Sequence, residues 1–318
     1  MVAANAQARD LPVADGMASW PSVAVIVATR DRPALLERAV RSILGQSYGG
    51  EIECVVVFDH SAPAPVPVKP SAGRRLTVTT NTRTPGLAGA RNSGITSTQS
   101  DLVAFCDDDD EWTADKLRLQ VELLTSASAE LVASGVRIHH SDHSVARIPP
   151  PVVQLEQLVR KRVTALHPSS FVMDRRAVLE LGLVDEQIPG SYGEDYDWLL
   201  RAARRMPIVS VAEPLVEIYW NRQSFFAERW QVIADALIYL IGKHPEIRAD
   251  RRGLARIEGQ IAFAYAALAR RPQAFTMSLR ALRHYPLERR AYLAMMVAAG
   301  IGSASTILRL VNQRGRGI

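Results

Sequence analysis

Residues 102–112 read Leu-Val-Ala-Phe-Cys-Asp-Asp-Asp-Asp-Glu-Trp, an apolar run that ends in four consecutive aspartates, Asp107, Asp108, Asp109 and Asp110. Carboxylates at alternate positions, Asp107 and Asp109, are spaced to converge on one divalent ion, and hard oxygen ligands select Mg²⁺ or Mn²⁺ over zinc. An ion held there can neutralise a diphosphate and stabilise the charge that develops as the diphosphate leaves. The plainer reading is a solvated acidic turn ahead of a helix, because Glu111 and Asp115 also precede the amphipathic stretch that runs to Leu124, and a helix dipole favours anions at its start. A second acidic segment, Gly190-Ser191-Tyr192-Gly193-Glu194-Asp195-Tyr196-Asp197-Trp198, places Glu194 and Asp195 at a loop-to-helix junction. There a carboxylate can serve as a general base, and the flanking glycines permit a tight or moving backbone. First-turn electrostatics is the competing explanation.

These residues need a scaffold, and the hydrophobic periodicity supplies one. Residues 23–28 form a β-branched run; Leu35, Leu36, Ala39, Val40, Ile43 and Leu44 then recur at helical spacing, with Asp31 as the expected N-cap and Pro33 in the first turn. Residues 54–58 form a second buried strand that ends at Asp59-His60-Ser61. Strand, helix, strand over this length predicts a right-handed parallel crossover. A third strand is expected over 76–80, a small-residue helix opening at Pro85-Gly86, and a fourth strand over 102–106 that delivers the aspartates. Polar residues after three strands then share one edge, the crevice where open α/β sheets bind ligands. A helix is expected over 175–181, and beyond Trp230 the pattern is helical throughout, with Trp230, Ile233, Leu237 and Ile241 on one face and Leu254, Ile257, Ile261, Tyr265 and Leu268 on another.

Composition narrows the class. The 318 residues are 47% hydrophobic and 22% charged, an ordinary globular balance. Cys54 and Cys106 sit inside apolar runs, which suits reduced thiols and a cytoplasmic setting better than a disulfide framework. Residues 1–20 read as a loose leader without the pattern of a signal peptide, and no stretch approaches the roughly 18 apolar residues of a spanning helix. From Arg201 onward there are 19 Lys and Arg against 8 Asp and Glu, a net of +11 in a chain whose total is +5. A basic helical tail behind an acidic front suggests peripheral contact with an anionic membrane; solvated arginines on helices that pack together or form a homo-oligomer are the commoner explanation. The same asymmetry would fit an anionic polymer or a nucleic acid, but nucleic acid is not the expected partner. His139, His140 and His143 lack the spacing of a zinc site, His167 before Pro168 reads as structural, Trp112 as an anchor, and Tyr192 and Trp220 as either an aromatic acceptor platform or edge packing.

Taken together, residues 23–32, Asp59-His60-Ser61, residues 86–94, Asp107 to Asp110 with Trp112, and Glu194-Asp195-Tyr196-Asp197 resemble a family 2 glycosyltransferase of the GT-A fold over about residues 21–222. The resemblance implies a Rossmann-like, mostly parallel sheet flanked by helices over 21–225, followed by an all-helical region over 226–318. It implies an inverting, metal-dependent transfer of a sugar from a nucleoside-diphosphate donor, UDP before dTDP or GDP, with Mn²⁺ or Mg²⁺ as cofactor. Thr29 and Arg30 would line the nucleobase pocket and Asp59 would bond the base. Arg91 and Asn92 would lie near the nucleotide, and Asp107 and Asp108 would reach toward ribose. Asp109, with Asp107, would hold the metal, and Asp195, beside Glu194, would be the general base. The chain departs from the family at Phe58, where an acid is usual, and after Tyr219, where a metal-proximal histidine is usual; Asn221 is the nearest substitute. Two rivals have weaker support. A nucleotidyltransferase would carry a glycine-rich loop after the first strand, where Thr29 to Pro33 has none, and an inactive scaffold would not be expected to keep both acidic motifs.

Overall fold

The computed structural model describes residues 19–220 and 229–307. Most of the expected leader, the 225/226 boundary and Asn221 lie outside these residues. The chain runs β1 (Val23–Thr29), α1 (Pro33–Leu44), β2 (Ile52–Phe58), β3 (Arg74–Thr80), α2 (Leu87–Ser97), β4 (Leu102–Phe105), β5 (Asp110–Trp112), α3 (Lys116–Ser126), β6 (Leu131–His139), β7 (Ser144–Arg147), β8 (Val152–Val153), α4 (Leu155–Arg160), β9 (Val172–Asp174), α5 (Arg175–Leu181), α6 (Glu194–Arg205) and β10 (Ile208–Tyr219). Five helices follow: α7 (Trp230–Lys243), α8 (Pro245–Ala249), α9 (Arg251–Ala267), α10 (Arg271–His284) and α11 (Arg289–Ala298).

All the strands join one sheet, whose main path is β3-β2-β1-β4-β9-β6-β10-β5. The half from β3 to β4 is parallel, as the crossover pattern requires. Beyond β4 the sheet is mixed: β9 runs antiparallel to both β4 and β6, and β5 antiparallel to β10. Parallel pairing resumes between β6 and β10, so the sheet is mostly parallel as expected from sequence, with β9, β5, β7 and β8 running against it. β1 and β2 are buried on both faces, the signature of central parallel strands. Their alternation separates two cores. Ile26, Val55, Val57, Val103 and Phe105 face one side, and Val23, Val25, Val27, Cys54, Val56, Leu102 and Ala104 face the other.

α1 buries Leu36, Ala39, Val40, Ile43 and Leu44 against the second of these cores. Pro33 opens the helix as expected, but Asp31 is not its cap: it takes a left-handed φ of 52°, and Arg32 is the N-cap residue without a side-chain cap bond. The kink turns Arg32 toward the aspartates. α2 packs directly on β1, because a Cβ on Gly94 would lie 2.4 Å from Ile26 Cγ2.

The first core also contains Trp198, Leu199 and Leu200 of α6 together with Ala234, Leu237 and Leu240 of α7 and Ile257, Ile261 and Ala264 of α9. The C-terminal helices thus complete the core of the sheet. Their firmest polar link is Asp197, fully buried, which accepts from Lys243 Nζ at 2.6 Å, His244 Nε2 at 2.9 Å and Arg201 Nε at 2.9 Å. Burial pushes its carboxyl up, but the His244 hydrogen bond and the charges of Arg201 and Lys243 outweigh this and hold it at about 2. Asp197→Asn should cost about 3–5 kcal/mol at pH 7, because it leaves buried cations uncompensated. The folded pKa lies below the unfolded value, so the wild-type contribution is present above about pH 4 and is lost as pH falls toward 2. Urea denaturation of both proteins should show the gap closing in that window; a gap constant from pH 7 to 2 would refute the assignment.

Candidate functional site

The parallel half of the sheet sets Thr29, Asp59 and Asp107 past the carboxyl ends of β1, β2 and β4 on one edge. β4 stops at Phe105, and residues 107–110 form a β-turn closed by the Asp110 N–H donating to the Asp107 carbonyl at 3.1 Å. In a strand, side chains two apart share a face; in this turn the first and fourth residues do. The ligand atoms of Asp107 and Asp110 therefore converge, and His167 joins them, all within 4.8 Å of one another. Asp109, expected as first ligand, is not in this group and accepts from Arg32 Nη1 at 2.9 Å. Among the described residues this is the one convergent group of three metal-ligating side chains, and His139, His140 and His143 are not part of it.

Each acid has its own environment. Asp107 pairs with Arg91 Nη2 at 2.8 Å. Asp108 accepts from the Thr29 hydroxyl at 2.7 Å and from Arg32 Nη1 at 3.1 Å. Asp110 accepts from the Ser169 hydroxyl at 2.6 Å, and that same oxygen accepts from the Asp107 N–H at 3.0 Å. Burial pushes the Asp108 carboxyl up to about 6, raises Asp109 with help from the Asp107 charge, and raises Asp110 well above the usual carboxylate range. For Asp107, burial is outweighed chiefly by the charge and hydrogen bond of Arg91, and its carboxyl is lowered. Burial also lowers the His167 imidazole, favouring the neutral form that ligates metals. Two carboxylates and an imidazole form a candidate ligand set for a divalent ion. Such an ion supplies the positive charge that the crowded acids call for.

Arg91 is 3% exposed, donates through Nη1 to Glu194 Oε1 at 2.6 Å, and lies over the Phe105 ring with 5.0 Å from the guanidinium carbon to the centroid. It links the acid turn to the first residue of α6. Burial pushes the Glu194 carboxyl up to about 7 against the opposing Arg91 charge. Asp195, next on α6, faces Arg162, with 3.6 Å between Arg162 Nη2 and Asp195 Oδ2. Gly193 precedes them at φ 81°, a backbone conformation that favours glycine.

The structure thus gathers Thr29, Arg91, Asp107, Asp108, Asp109 and Glu194 into one hydrogen-bonded crevice, with Asp195 at its rim. Asp59 accepts from Asn81 Nδ2 at 2.7 Å and from the Gly86 N–H at 3.0 Å, which ties it to the turn before α2. Arg30 points outward and pairs with Asp31. Asn92 faces away from the acids: it clamps the Val184 backbone through both amide atoms and donates to Glu186. His167, expected to be structural, and Asp110, the last of the four aspartates, converge with Asp107, while Arg32 and Ser169, to which the sequence assigns no role, hold the acids from α1 and from the segment before β9. Trp112 anchors the turn, its indole N–H donating to the Ser169 carbonyl at 2.9 Å. Tyr192 is partly buried against the first core, and Trp220 is 55% exposed.

Residues 24–181 match the family model of glycosyl transferase family 2. The chain is 35% identical over 121 residues to the succinoglycan biosynthesis protein ExoO of Rhizobium meliloti, covering 37% of this chain and 34% of that one. It is 25% identical over 129 residues to the UDP-Glc:alpha-D-GlcNAc-diphosphoundecaprenol beta-1,3-glucosyltransferase WfgD of Escherichia coli, covering 41% of this chain and 51% of that one. The chain thus spans between a third and about half the length of these curated relatives. In fold it resembles S. aureus TarS 1-349 in complex with UDP-GlcNAc, with a TM-score of 0.58 at 14% identity over 93% of this chain and 92% of that one. The cluster makes a direct prediction: His167→Ala and Asp110→Asn should each weaken Mn²⁺ binding about tenfold or more. Titration followed by Mn²⁺ electron paramagnetic resonance checks this, and an equal loss in Asp109→Asn would restore Asp109 as a ligand.

Proposed function

Since this chain belongs, through residues 24–181, to glycosyl transferase family 2, we propose that it transfers a sugar from a nucleoside-diphosphate donor to an acceptor hydroxyl with inversion at the anomeric carbon. The observation that carries the reading is Arg91, whose one guanidinium joins Asp107 of the metal-ligating group to Glu194, the neighbour of Asp195. A site for a cation and a candidate base thereby share one crevice. Asp107, Asp110 and His167 would hold Mn²⁺ or Mg²⁺, which when bound neutralises the departing diphosphate. Asp195 takes the proton of the acceptor hydroxyl as its oxygen attacks the anomeric carbon and the bond to the diphosphate breaks. Glu194, anchored on Arg91, fixes the start of α6 and so the position of Asp195. Thr29 and Arg32 hold Asp108 for the ribose, and Thr29, Arg30 and Asp59 border the base. UDP is the favoured nucleotide because WfgD and the TarS complex are both described with UDP-sugars; dTDP- and GDP-sugars are the comparison arms of a thermal-shift screen.

If Asp195 is the base, Asp195→Asn should lower kcat by about 10²–10⁴-fold with UDP affinity unchanged, the pattern of an interaction made in the transition state. A larger loss in Glu194→Gln than in Asp195→Asn would move the role to Glu194.

The reading also sets the chain at the cytoplasmic face of a membrane. Buried free thiols at Cys54 and Cys106 suit a reducing compartment. Among the described residues no helix is long and apolar enough to cross a membrane. Phe275, Leu279, Leu287, Tyr292 and Met296 are exposed on α10, α11 and the turn between them, among Arg271, Arg283 and Arg289, a mixture that supports peripheral contact with anionic lipid. The protein should pellet with vesicles containing phosphatidylglycerol, not with neutral vesicles, and less so as salt is raised. Failure to pellet at low salt, together with a dimer in light scattering, would assign this face to a second copy of the chain.

A further inference from the structure

Arg256 on α9 is a buried cation whose guanidinium carbon lies 5.4 Å from the Tyr196 ring centroid and which pairs with no carboxylate among the described residues. It is 8% exposed, its Nη2 donates to the Tyr196 phenol oxygen at 2.9 Å and, more weakly, to the Val159 carbonyl at 3.4 Å, and its Nε has no hydrogen-bond partner. Both acceptors are neutral. Placing a guanidinium in a low-dielectric setting without a carboxylate is costly, and the cost falls when an anion binds beside it.

Two more arginines approach the same place. Arg162, three residues past Val159, is 57% exposed in its side chain and lies 3.6 Å from Asp195. Arg290, in the first turn of α11, is seated over Gly259, where an added Cβ would lie 3.1 Å from Arg290 Cβ. Gly259 is one helical turn from Arg256 and on the same face of α9. Arg290 donates Nη1 to Glu288 at 3.0 Å, and among the described residues its Nε, like that of Arg256, has no hydrogen-bond partner. Their fields overlap: burial raises the Tyr192 phenol, and Arg162, Arg256 and Arg290 all pull it back. Burial lowers Arg256, and repulsion from Arg290 and Arg162 lowers it further. Three guanidinium groups here face the carboxylates of Asp195 and Glu288, while the nearby Glu194 is paired with Arg91 and Glu246 with Arg204, so positive charge is in excess on this side of the crevice.

We propose that Arg162, Arg256 and Arg290, beside Tyr192 and Tyr196, form a subsite for a phosphate group of the acceptor, so that the acceptor is a phosphate- or diphosphate-bearing glycan whose hydroxyl is presented to Asp195. The word acceptor rests on the transferase reading; the phosphate subsite rests on the arginines alone. Donor phosphates belong to the acid cluster across Arg91, where a divalent ion would meet them, whereas this second group of cations has no acid turn to hold a metal. Guanidinium forks suit phosphate oxygens, which accept two parallel N–H bonds.

The test titrates phenyl phosphate into the full chain saturated with UDP and Mg²⁺, followed by calorimetry. One saturable site is expected, weakened roughly tenfold or more in Arg162→Gln and in Arg290→Gln, with UDP affinity and melting temperature unchanged in both. The buried Arg256 is left intact so that the variants fold. Competition by geranyl diphosphate at lower concentration than phenyl phosphate would identify a lipid-linked diphosphate as the source of the anion, and equal potency a phosphorylated glycan; either supports the subsite. No saturable binding, or binding unchanged in both variants, overturns it. Should the protein fail to bind UDP, the transferase reading falls, and the same titration without UDP still decides the arginine site.

Discussion

The buried double ion pair of Arg91 is the contact on which the rest of the site depends. Remove its charge in thought, and Asp107 and Glu194 are carboxylates in a shared low-dielectric crevice with no cation between them. At an effective dielectric near 20, two unit charges about 4 Å apart interact by about 4 kcal/mol, so each half of the pair is a sizeable fraction of the about 5–15 kcal/mol by which a domain is stable. The desolvation of a guanidinium is of similar size, and two carboxylates offset what one would not. α2 can deliver Arg91 to this position because Gly94 lets the helix lie against Ile26 of β1. The contact is a steric consequence of a small residue as much as an electrostatic one.

From that pair the site divides into two electrostatic halves. On one side the acid turn, with Arg32, Thr29, Ser169 and His167 around it, holds acids of different ionisation in a space that suits a dication. On the other, α6 carries Asp195 to a face lined by arginines drawn from α9, α11 and the segment after α4. A half whose side chains could hold a dication would suit a leaving diphosphate, and a cationic half would suit an anion that has only to be held. One guanidinium touches both halves, so a shift of α6 is felt at the acid turn.

The C-terminal helices are therefore part of the working domain. α7 and α9 fill the core beneath α6, and the Asp197 network with Lys243 and His244 fixes the end of α7 to the first turn of α6. The same helix start that carries Asp195 is held from below by Asp197 and from the side by Glu194. Rigid support on both flanks is what the proposed base at this helix N-terminus would need, since a displacement of an ångström can cost orders of magnitude in rate.

Sequence alone determined the features with short-range causes. Continuous β-branched runs fixed the central parallel strands; helical spacing gave the buried face of α1 and the extent of α5; the four aspartates and the Glu-Asp pair named the acidic chemistry, because composition and period are local properties of the chain. Only the tertiary structure decided which of these groups meet. The strand ended before the acids, so turn geometry paired Asp107 with Asp110 and not with Asp109. His167 and Ser169 reached that turn from more than 50 residues away, Arg91 found Glu194 across 103 residues, and Asn92, its immediate neighbour, turned to the backbone at Val184 because adjacent helical residues point in different directions. The chain reports the type of a polar residue, but the partner that sets its charge and its role is chosen by packing.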